Sequence, residues 1–404
     1  MAEFSQFDAV LNLLILVIAI TFITRRLRFP YTIALILAGL VAATLPRLVL
    51  PDLSPEVFVI ILLPPILFEA ALTLDVTGLR RDIDVVFSYA IVGTLLTLGA
   101  VGAFAYFLLG YSLIEAILLG IILSPTDPVA VISAFRSVTV KKGFKLIVEG
   151  EALFNDGVAI IAYSLILVVI NQGSITLPEF GRAALLSILG GVGLGVAGGY
   201  LIHFLIERSN DKFAEVLLGF LLSFGIYRLA EYLGGSGVIA VVMAGLILNY
   251  RMHKYGGFIV DSFNEYVSFW EFVAFVASSL AFIFIGLYLD PTLLIRYGVP
   301  VLALTSFILV TRYLKAFGLA ALIERYRGKA ISRDWLMGFW WSGLRGAISV
   351  VLVLSASSLP LEHIAEMKAI TYGLVLATNV IWGVTIPYAI KKYHLAEDPE
   401  TGPA

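Results

Sequence analysis

Between residues 8 and 390 the sequence is a succession of apolar runs joined by short connections rich in Lys and Arg. Most runs are long enough to cross a bilayer as a helix, for which about 20 residues suffice. Apolar and polar residues do not alternate along them, so they read as helices and not as strands of a barrel. The whole chain is 60% hydrophobic and 14% charged, against about 25% charged in a soluble domain. Its mean hydropathy is +0.98. A chain this apolar has too little polar surface to cover itself in water, so a bilayer must serve as solvent for much of it. The expected fold class is an all-α integral membrane protein.

Hydropathy predicts about thirteen spans, over residues 8–24, 30–47, 55–74, 84–109, 113–135, 147–171, 179–206, 212–231, 236–250, 265–288, 297–323, 333–358 and 363–390. Residues 1–7 lack the basic start of a signal peptide, and Arg25, Arg26 and Arg28 follow the first run. That run is therefore expected to remain as a span with its downstream end in the cytoplasm. Most of the other Lys and Arg residues fall on the same side, among them Arg80, Arg81, Lys141, Lys142, Arg325 and Lys391. Positive charge stays inside, which puts the N-terminus outside and the C-terminus in the cytoplasm of a multi-pass cell (inner) membrane protein. No soluble domain interrupts the bundle. Residues 1–404 read as one transmembrane domain, ending in a short cytoplasmic tail over 395–404.

Several chemistries are excluded. The chain has no Cys, so it has no disulfide, thiolate metal site or cysteine nucleophile. Its four His residues form no metal-ligand spacing. A net charge of −2 offers no nucleic-acid footprint. No cofactor and no enzymatic activity are expected.

Two spans carry breaks. Ser124-Pro125-Thr126-Asp127-Pro128 places two prolines in the middle of span 5, where each removes an amide donor and clashes with the preceding turn. Unwound backbone at membrane depth survives only where it is buried in protein or lines a cavity. Ser342-Gly343-Leu344-Arg345-Gly346 is a weaker interruption of span 12. The breaks lie seven spans apart, an odd offset that makes the two segments run in opposite directions. Spans 1–6 and 8–13 are thus expected to be inverted repeats with crossed discontinuous helices, a transporter plan with the substrate site at the crossing. A simple proline kink or an ordinary membrane glycine is the plainer alternative at each break.

Ionisable residues at membrane depth cost at least about 2.5–3.5 kcal/mol each on insertion scales. Glu69, Asp127, Glu151, Asp156 and Arg312 all fall there. Asp156 lies about nine residues into its span, which at 1.5 Å per residue is roughly 14 Å deep, near the midplane. Glu151 and Asn155 share one helical face, and Ala152 and Asp156 share the next. If spans 5 and 6 pack together, Asp156 sits beside Thr126 and Asp127. Broken-helix carbonyls, a hydroxyl and carboxylates form a hard-oxygen shell suited to an alkali cation. For Asp127, capping the second half of span 5 competes with ion contact; for Glu69, a structural role competes with ligation. Glu151 and Arg312 are expected to form a buried pair. Arg345 is expected to stabilise its own broken span by bonding freed carbonyls. Lys315 reads as a snorkelling or lipid-contacting side chain, and Glu115 and Glu271 as interfacial.

These residues resemble the monovalent cation:proton antiporter-1 family, in particular its NhaP-type sodium/proton antiporters. The stretches that carry the likeness are LPPILFEAAL (63–72), SPTDPVAV (124–131), EGEALFNDG (149–157), SGVIAVVMAGL (236–246), FWEFVAF (269–275) and GLRGAIS (343–349). The resemblance implies a thirteen-helix homodimer with core and dimerisation subdomains and elevator-like alternating access. It implies that Asp156 binds the ion beside Asn155, with Thr126, Asp127 and Glu69 around the site and Glu151 paired with Arg312. An Asn-Asp pair implies electroneutral one-for-one exchange. Two departures leave the cation open between sodium, lithium and potassium: Ala152, where the family often has Ser, and Ser278, where it often has Asn.

One carboxylate that holds a cation or a proton, but not both, couples the two flows. A cation channel is the rival from another class. It would show current far above carrier turnover.

Overall fold

The computed structural model describes residues 2–27, 30–45, 55–127, 140–172, 176–209, 211–255, 260–328 and 330–396. Pro128 and the remainder of the expected fifth span, Arg28, and the tail beyond 396 lie outside them. Among the described residues all regular structure is helical, and the one extended pairing is an antiparallel bridge between Val140 and Ala396.

In chain order the helices are α1 Ala2–Leu27, α2 Tyr31–Ala43, α3 Pro55–Thr73, α4 Val76–Leu109, α5 Leu113–Ile122, α6 Lys142–Gln172, α7 Leu177–Ser209, α8 Lys212–Tyr232, α9 Gly237–Tyr255, α10 Val260–Tyr288, α11 Pro291–Arg296, α12 Gly298–Arg327, α13 Arg333–Trp341, α14 Ala347–Ser355 and α15 Ile364–Lys392. Seven described helices are long and apolar enough to cross a membrane: α4, α6, α7, α8, α10, α12 and α15. Shorter apolar stretches lie in α1, α2, α3, α5 and α14. Wide π turns interrupt α4, α8 and α15, the last over Asn379–Gly383.

The chain divides into two compact units. One comprises residues 1–55, 82–156 and 279–404. Its core gathers Tyr89, Phe144, Val148, Leu319, Phe339, Leu344, Trp382 and Leu395. The Tyr89 hydroxyl donates to the Ala316 carbonyl at 2.8 Å, and the Lys141 amide donates to the Leu395 carbonyl at 3.0 Å. Helices α4 and α5 approach closely because Gly102 faces the Ala116 carbonyl and Gly120 faces that of Leu98. Gly110, at φ 76°, ends α4 in the left-handed region that glycine adopts without a Cβ clash. Ser112 and Glu115 then form a capping box that starts α5. Glu115, in the first turn of α5, is 3% exposed; its carboxylate also accepts the His363 amide at 3.0 Å and so has donors enough to be buried. Glu271 is exposed.

The other unit comprises residues 56–81 and 157–278. Gly191, Gly195 and Gly199, four residues apart on α7, meet the carbonyls of Ser236, Ala240 and Ala244, four apart along α9. A row of side-chain-free positions lets the two backbones touch, the small-residue packing that membranes favour. Asn249 Nδ2 donates to the carbonyls of Ala71 (3.1 Å) and Leu74 (2.8 Å) and so caps the end of α3. Large apolar side chains stand exposed in each unit, such as Phe107 and Leu108 in the first and Phe213 and Leu217 in the second. A bilayer is the solvent that accepts them.

Candidate functional site

The break in the fifth expected span is present up to Asp127. Helix α5 ends at Ile122, and residues 123–127 are non-helical. With no amide on Pro125, the Ile121 carbonyl loses its helical donor and accepts the Ser124 amide and hydroxyl instead, at 3.2 and 2.9 Å; the carbonyls of Ser124 and Pro125 belong to the non-helical stretch. Arg345 Nη1 donates to both, at 2.5 and 2.7 Å. Arg345 itself lies in the second break, between the end of α13 at Trp341 and the start of α14 at Ala347.

The two breaks are stitched together by backbone as well. The Asp127 amide donates to the Leu344 carbonyl at 2.9 Å. The Asp127 carboxylate lies directly against Gly346, so closely that a Cβ there would overlap it. This places a carboxylate at the residue that caps the N-terminus of α14. From α15, Thr378 Oγ1 accepts the Arg345 amide at 3.3 Å and Asn379 Nδ2 donates to the Arg345 carbonyl at 2.8 Å. The Thr32 hydroxyl fixes the Asn379 amide from α2, at 3.0 Å. The backbone groups freed at Leu344 and Arg345 thus find partners inside the protein, as burial demands.

One expectation changes. Arg345 does not bond carbonyls of its own span. Asp127 and Asn379 already satisfy those of Leu344 and Arg345, so the guanidinium reaches across to the other break. The choice for Asp127 between capping the second half of span 5 and contacting the ion turns on residues outside those described.

Helix α6 brings the remaining site residues up to the first break. Glu151 and Asn155, one turn apart, both turn to Thr126. Asn155 Nδ2 donates to Thr126 Oγ1 at 2.6 Å, and its Oδ1 accepts the Thr126 amide at 3.4 Å. Thr126 Oγ1 donates to Glu151 Oε2 at 3.1 Å. The Asn155 amide is therefore committed to Thr126 and not to Asp156. Asp156, the next residue, is 3% exposed, and its Oδ1 meets no hydrogen-bond partner among the described residues. Its electrostatic neighbours are the acids Asp127 and Glu151 and the base Arg345. A buried carboxylate oxygen without a donor calls for a positive partner.

Ala152, one turn before Asp156, is buried and supplies no oxygen. The Ser278 hydroxyl is spent on the Phe275 carbonyl of its own helix, at 3.1 Å. Glu69 lies half-buried on α3 in the unit of residues 56–81 and 157–278, whereas Thr126, Asp127, Asn155 and Asp156 belong to the other.

Glu151 has two basic neighbours. Arg312 Nη1 is 3.6 Å from its Oε1, as the expected pair. Lys315 Nζ is nearer, at 2.7 Å. Lys315 does not snorkel. It is 5% exposed, because the buried Glu151 charge draws it inward. Arg312 spends its Nε and Nη2 on the carbonyls of Phe339 and Trp340, at 3.1–3.2 Å, and so caps the end of α13. Gly343 makes room for it, since a Cβ there would run into the guanidinium. Around the two breaks, three buried carboxylates (Asp127, Glu151, Asp156) thus stand with three buried bases (Arg312, Lys315, Arg345).

Sequence reasoning missed Lys315, Thr378, Asn379 and Thr32 as parts of this network. Lys315 gave a signal: it falls three residues after Arg312, on the same face of an apolar helix. A threonine or asparagine in a membrane helix gives none that marks it out.

Chemically, the arrangement offers carboxylate oxygens and a hydroxyl around an unwound backbone, a donor set for a hard monovalent cation or a proton. Comparison with known proteins agrees with the fold and names its kin. The sodium/hydrogen exchanger family, described as transmembrane, matches over residues 13–392. The Na(+)/H(+) antiporter ApNhaP of Aphanothece halophytica is 35% identical over 375 residues, 92% of this chain and 71% of that protein. The Na(+)/H(+) antiporter NhaH of Halobacillus dabanensis is 31% identical over 409 residues, 96% of this chain and 97% of that protein. The structure of the sodium proton antiporter MjNhaP1 from Methanocaldococcus jannaschii shares the fold, with a TM-score of 0.80 at 21% identity, covering 96% of this chain and 99% of that one. The chain is a multi-pass membrane protein of the sodium/hydrogen exchanger family.

Proposed function

We propose that this chain is a secondary-active antiporter that exchanges sodium for protons, with Asp156 binding the two in turn. The observation that carries the reading is the buried Asp156 Oδ1, without a hydrogen-bond donor among the described residues, beside a break whose oxygens are held in place. Antiport of this kind is also what the names of its relatives state. Thr126 and Asp127 complete the ligand set in this reading, and Asn155 orients Thr126. Glu151 with Arg312, and Arg345 at the breaks, are architectural.

Exchange is one for one and electroneutral. A sodium ion or a proton each adds one positive charge at Asp156, so both loaded forms cross the low-dielectric barrier with the same charge. The chain spans the cell membrane thirteen times, N-terminus outside and C-terminus inside, as two inverted repeats of six spans with the broken fifth and twelfth crossed. It works as a homodimer by alternating access, with core and dimerisation subdomains. Potassium-for-proton exchange on the same site is the second reading, and Ala152 favours it. A shell with one oxygen fewer offsets less dehydration, which penalises sodium, the more strongly hydrated ion, more than potassium.

Flux into liposomes tests the reading. Asp156→Asn abolishes sodium-driven proton movement; wild-type exchange in that variant sinks the assignment. Clamping the membrane potential at several values leaves the rate of the wild type nearly unchanged. A steep voltage dependence refutes the stoichiometry, and current far above carrier turnover points to a channel.

A further inference from the structure

Among the described residues of this unit, Lys315 is the one buried base for which neither the sequence motifs nor the proposed mechanism has a use. It stands on α12 and enters a slot on α4 made by the absence of a side chain at Gly93. A Cβ there would lie 2.8 Å from Lys315 Cδ, 3.1 Å from Cε and 3.2 Å from Nζ. From that slot Nζ reaches Glu151 Oε1 at 2.7 Å. Arg312, at 3.6 Å, is beyond hydrogen-bond range of the same oxygen, and its Nε and Nη2 are engaged by the end of α13. Lys315 is therefore the base hydrogen-bonded to Glu151.

We propose that Lys315 is a positioning residue of the cation site, acting through Glu151 on the Thr126 hydroxyl. This rests on the reading of Asp156 and Thr126 as cation ligands. A threonine hydroxyl has one proton to give and two lone pairs. Here the proton goes to Glu151 Oε2, and one lone pair accepts from Asn155 Nδ2. One lone pair is left for a cation. The arrangement holds only while Glu151 stays an acceptor. A buried carboxylate stripped of its hydrogen-bonded base turns toward another donor. Thr126 then loses its acceptor, and its proton swings into the site where a lone pair had been. Lys315 prevents this by fixing Oε1, which aims Oε2 at Thr126. The chain of contacts runs Lys315, Glu151, Thr126, Asn155, and ends next to Asp156.

The test uses the full chain in liposomes, reading the half-saturating sodium concentration, the maximal rate and the thermal midpoint. Gly93→Ala pushes the Lys315 stem out of its slot without touching the site. It raises half-saturating sodium about tenfold, the scale of one charge-assisted hydrogen bond, with maximal rate and thermal midpoint near wild type. Lys315→Met shifts half-saturation in the same direction, and adding Gly93→Ala to it causes no further shift. If Lys315→Met fails to fold, Gly93→Ala carries the test alone. Wild-type half-saturation in Gly93→Ala, or a fall in thermal midpoint with no change in half-saturation, overturns the proposal. Asp156→Asn separates the two readings. Retained exchange there removes the site itself, whereas an inactive Asp156→Asn beside a wild-type Gly93→Ala removes only the role of Lys315.

Discussion

The carboxylate of Asp127 lies against Gly346 with no room for a Cβ between them. The contact joins two segments more than 200 residues apart, and the Asp127 amide reinforces it by donating to Leu344. Position 346 must therefore be glycine for reasons of contact; its φ of −145° is open to any residue. Gly346→Ala is expected to push Asp127 and the start of α14 apart. The sodium-dependent rate of proton movement in liposomes should fall at least about tenfold, since sub-ångström misplacement of binding groups has effects of that order and larger. Wild-type rates in this variant would show that the contact is dispensable.

Arg345 makes the second join. Its Nη1 donates to the carbonyls of Ser124 and Pro125 in the non-helical stretch. Arg345→Met keeps much of the volume and removes both donors. Each buried carbonyl left without a partner costs about 1–3 kcal/mol, and the net charge of the interior shifts toward the acids. A marked drop in thermal midpoint is expected together with loss of transport. A midpoint within a degree of wild type would mean that other donors take over.

The all-helical, apolar architecture, the two breaks and the carboxylates of α6 were legible in the sequence, because each is a local property with a large energetic signature. A proline or an aspartate inside an apolar run needs no tertiary context to be conspicuous. Pairings across helices were not legible in the same way. Arg312 and Lys315 lie on one face of one helix, both able to meet Glu151, and only the positions of α13 and Gly93 decide which takes which role. Arg345 was expected to serve its own break, since nothing local reveals that Asp127 and Asn379 satisfy that break's carbonyls first. The burial of Glu115 was not legible, because the amide of His363, which helps to bury it, comes from nearly 250 residues away.

Ala152 faces the same side of α6 as Asp156, one turn earlier, and is buried. Ala152→Ser adds a hydroxyl to the face from which the site lacks an oxygen. Its small volume and local hydrogen-bonding capacity make it a tolerable substitution in a membrane helix. The half-saturating sodium concentration is expected to fall several-fold, and the preference for sodium over potassium to rise, because the added oxygen replaces more of the hydration shell of the smaller ion. Parallel flux measurements with sodium, lithium and potassium on both proteins provide the check, and an unchanged preference would place the hydroxyl outside the ligand shell.

Competition at a single carboxylate has a quantitative signature in pH. If Asp156 holds a cation or a proton and never both, the two ligands exclude one another. Where protons occupy most of the sites, each unit fall in pH raises the half-saturating sodium concentration about tenfold, with the maximal rate unchanged. Above that range protons no longer compete, and half-saturation levels off at the intrinsic sodium affinity. The sign follows from linkage: protonation stabilises the form that cannot bind sodium, so acid weakens sodium binding and never strengthens it. The measurement is half-saturating sodium against pH, on the same face of the membrane, at fixed potential. A slope of one on logarithmic axes fits one shared carboxylate. A slope near two means that two protons leave for each cation bound, which requires a second group beside Asp156 and conflicts with one-for-one exchange. Half-saturation independent of pH throughout means that the proton and the cation occupy different sites, so that the coupling arises elsewhere in the protein.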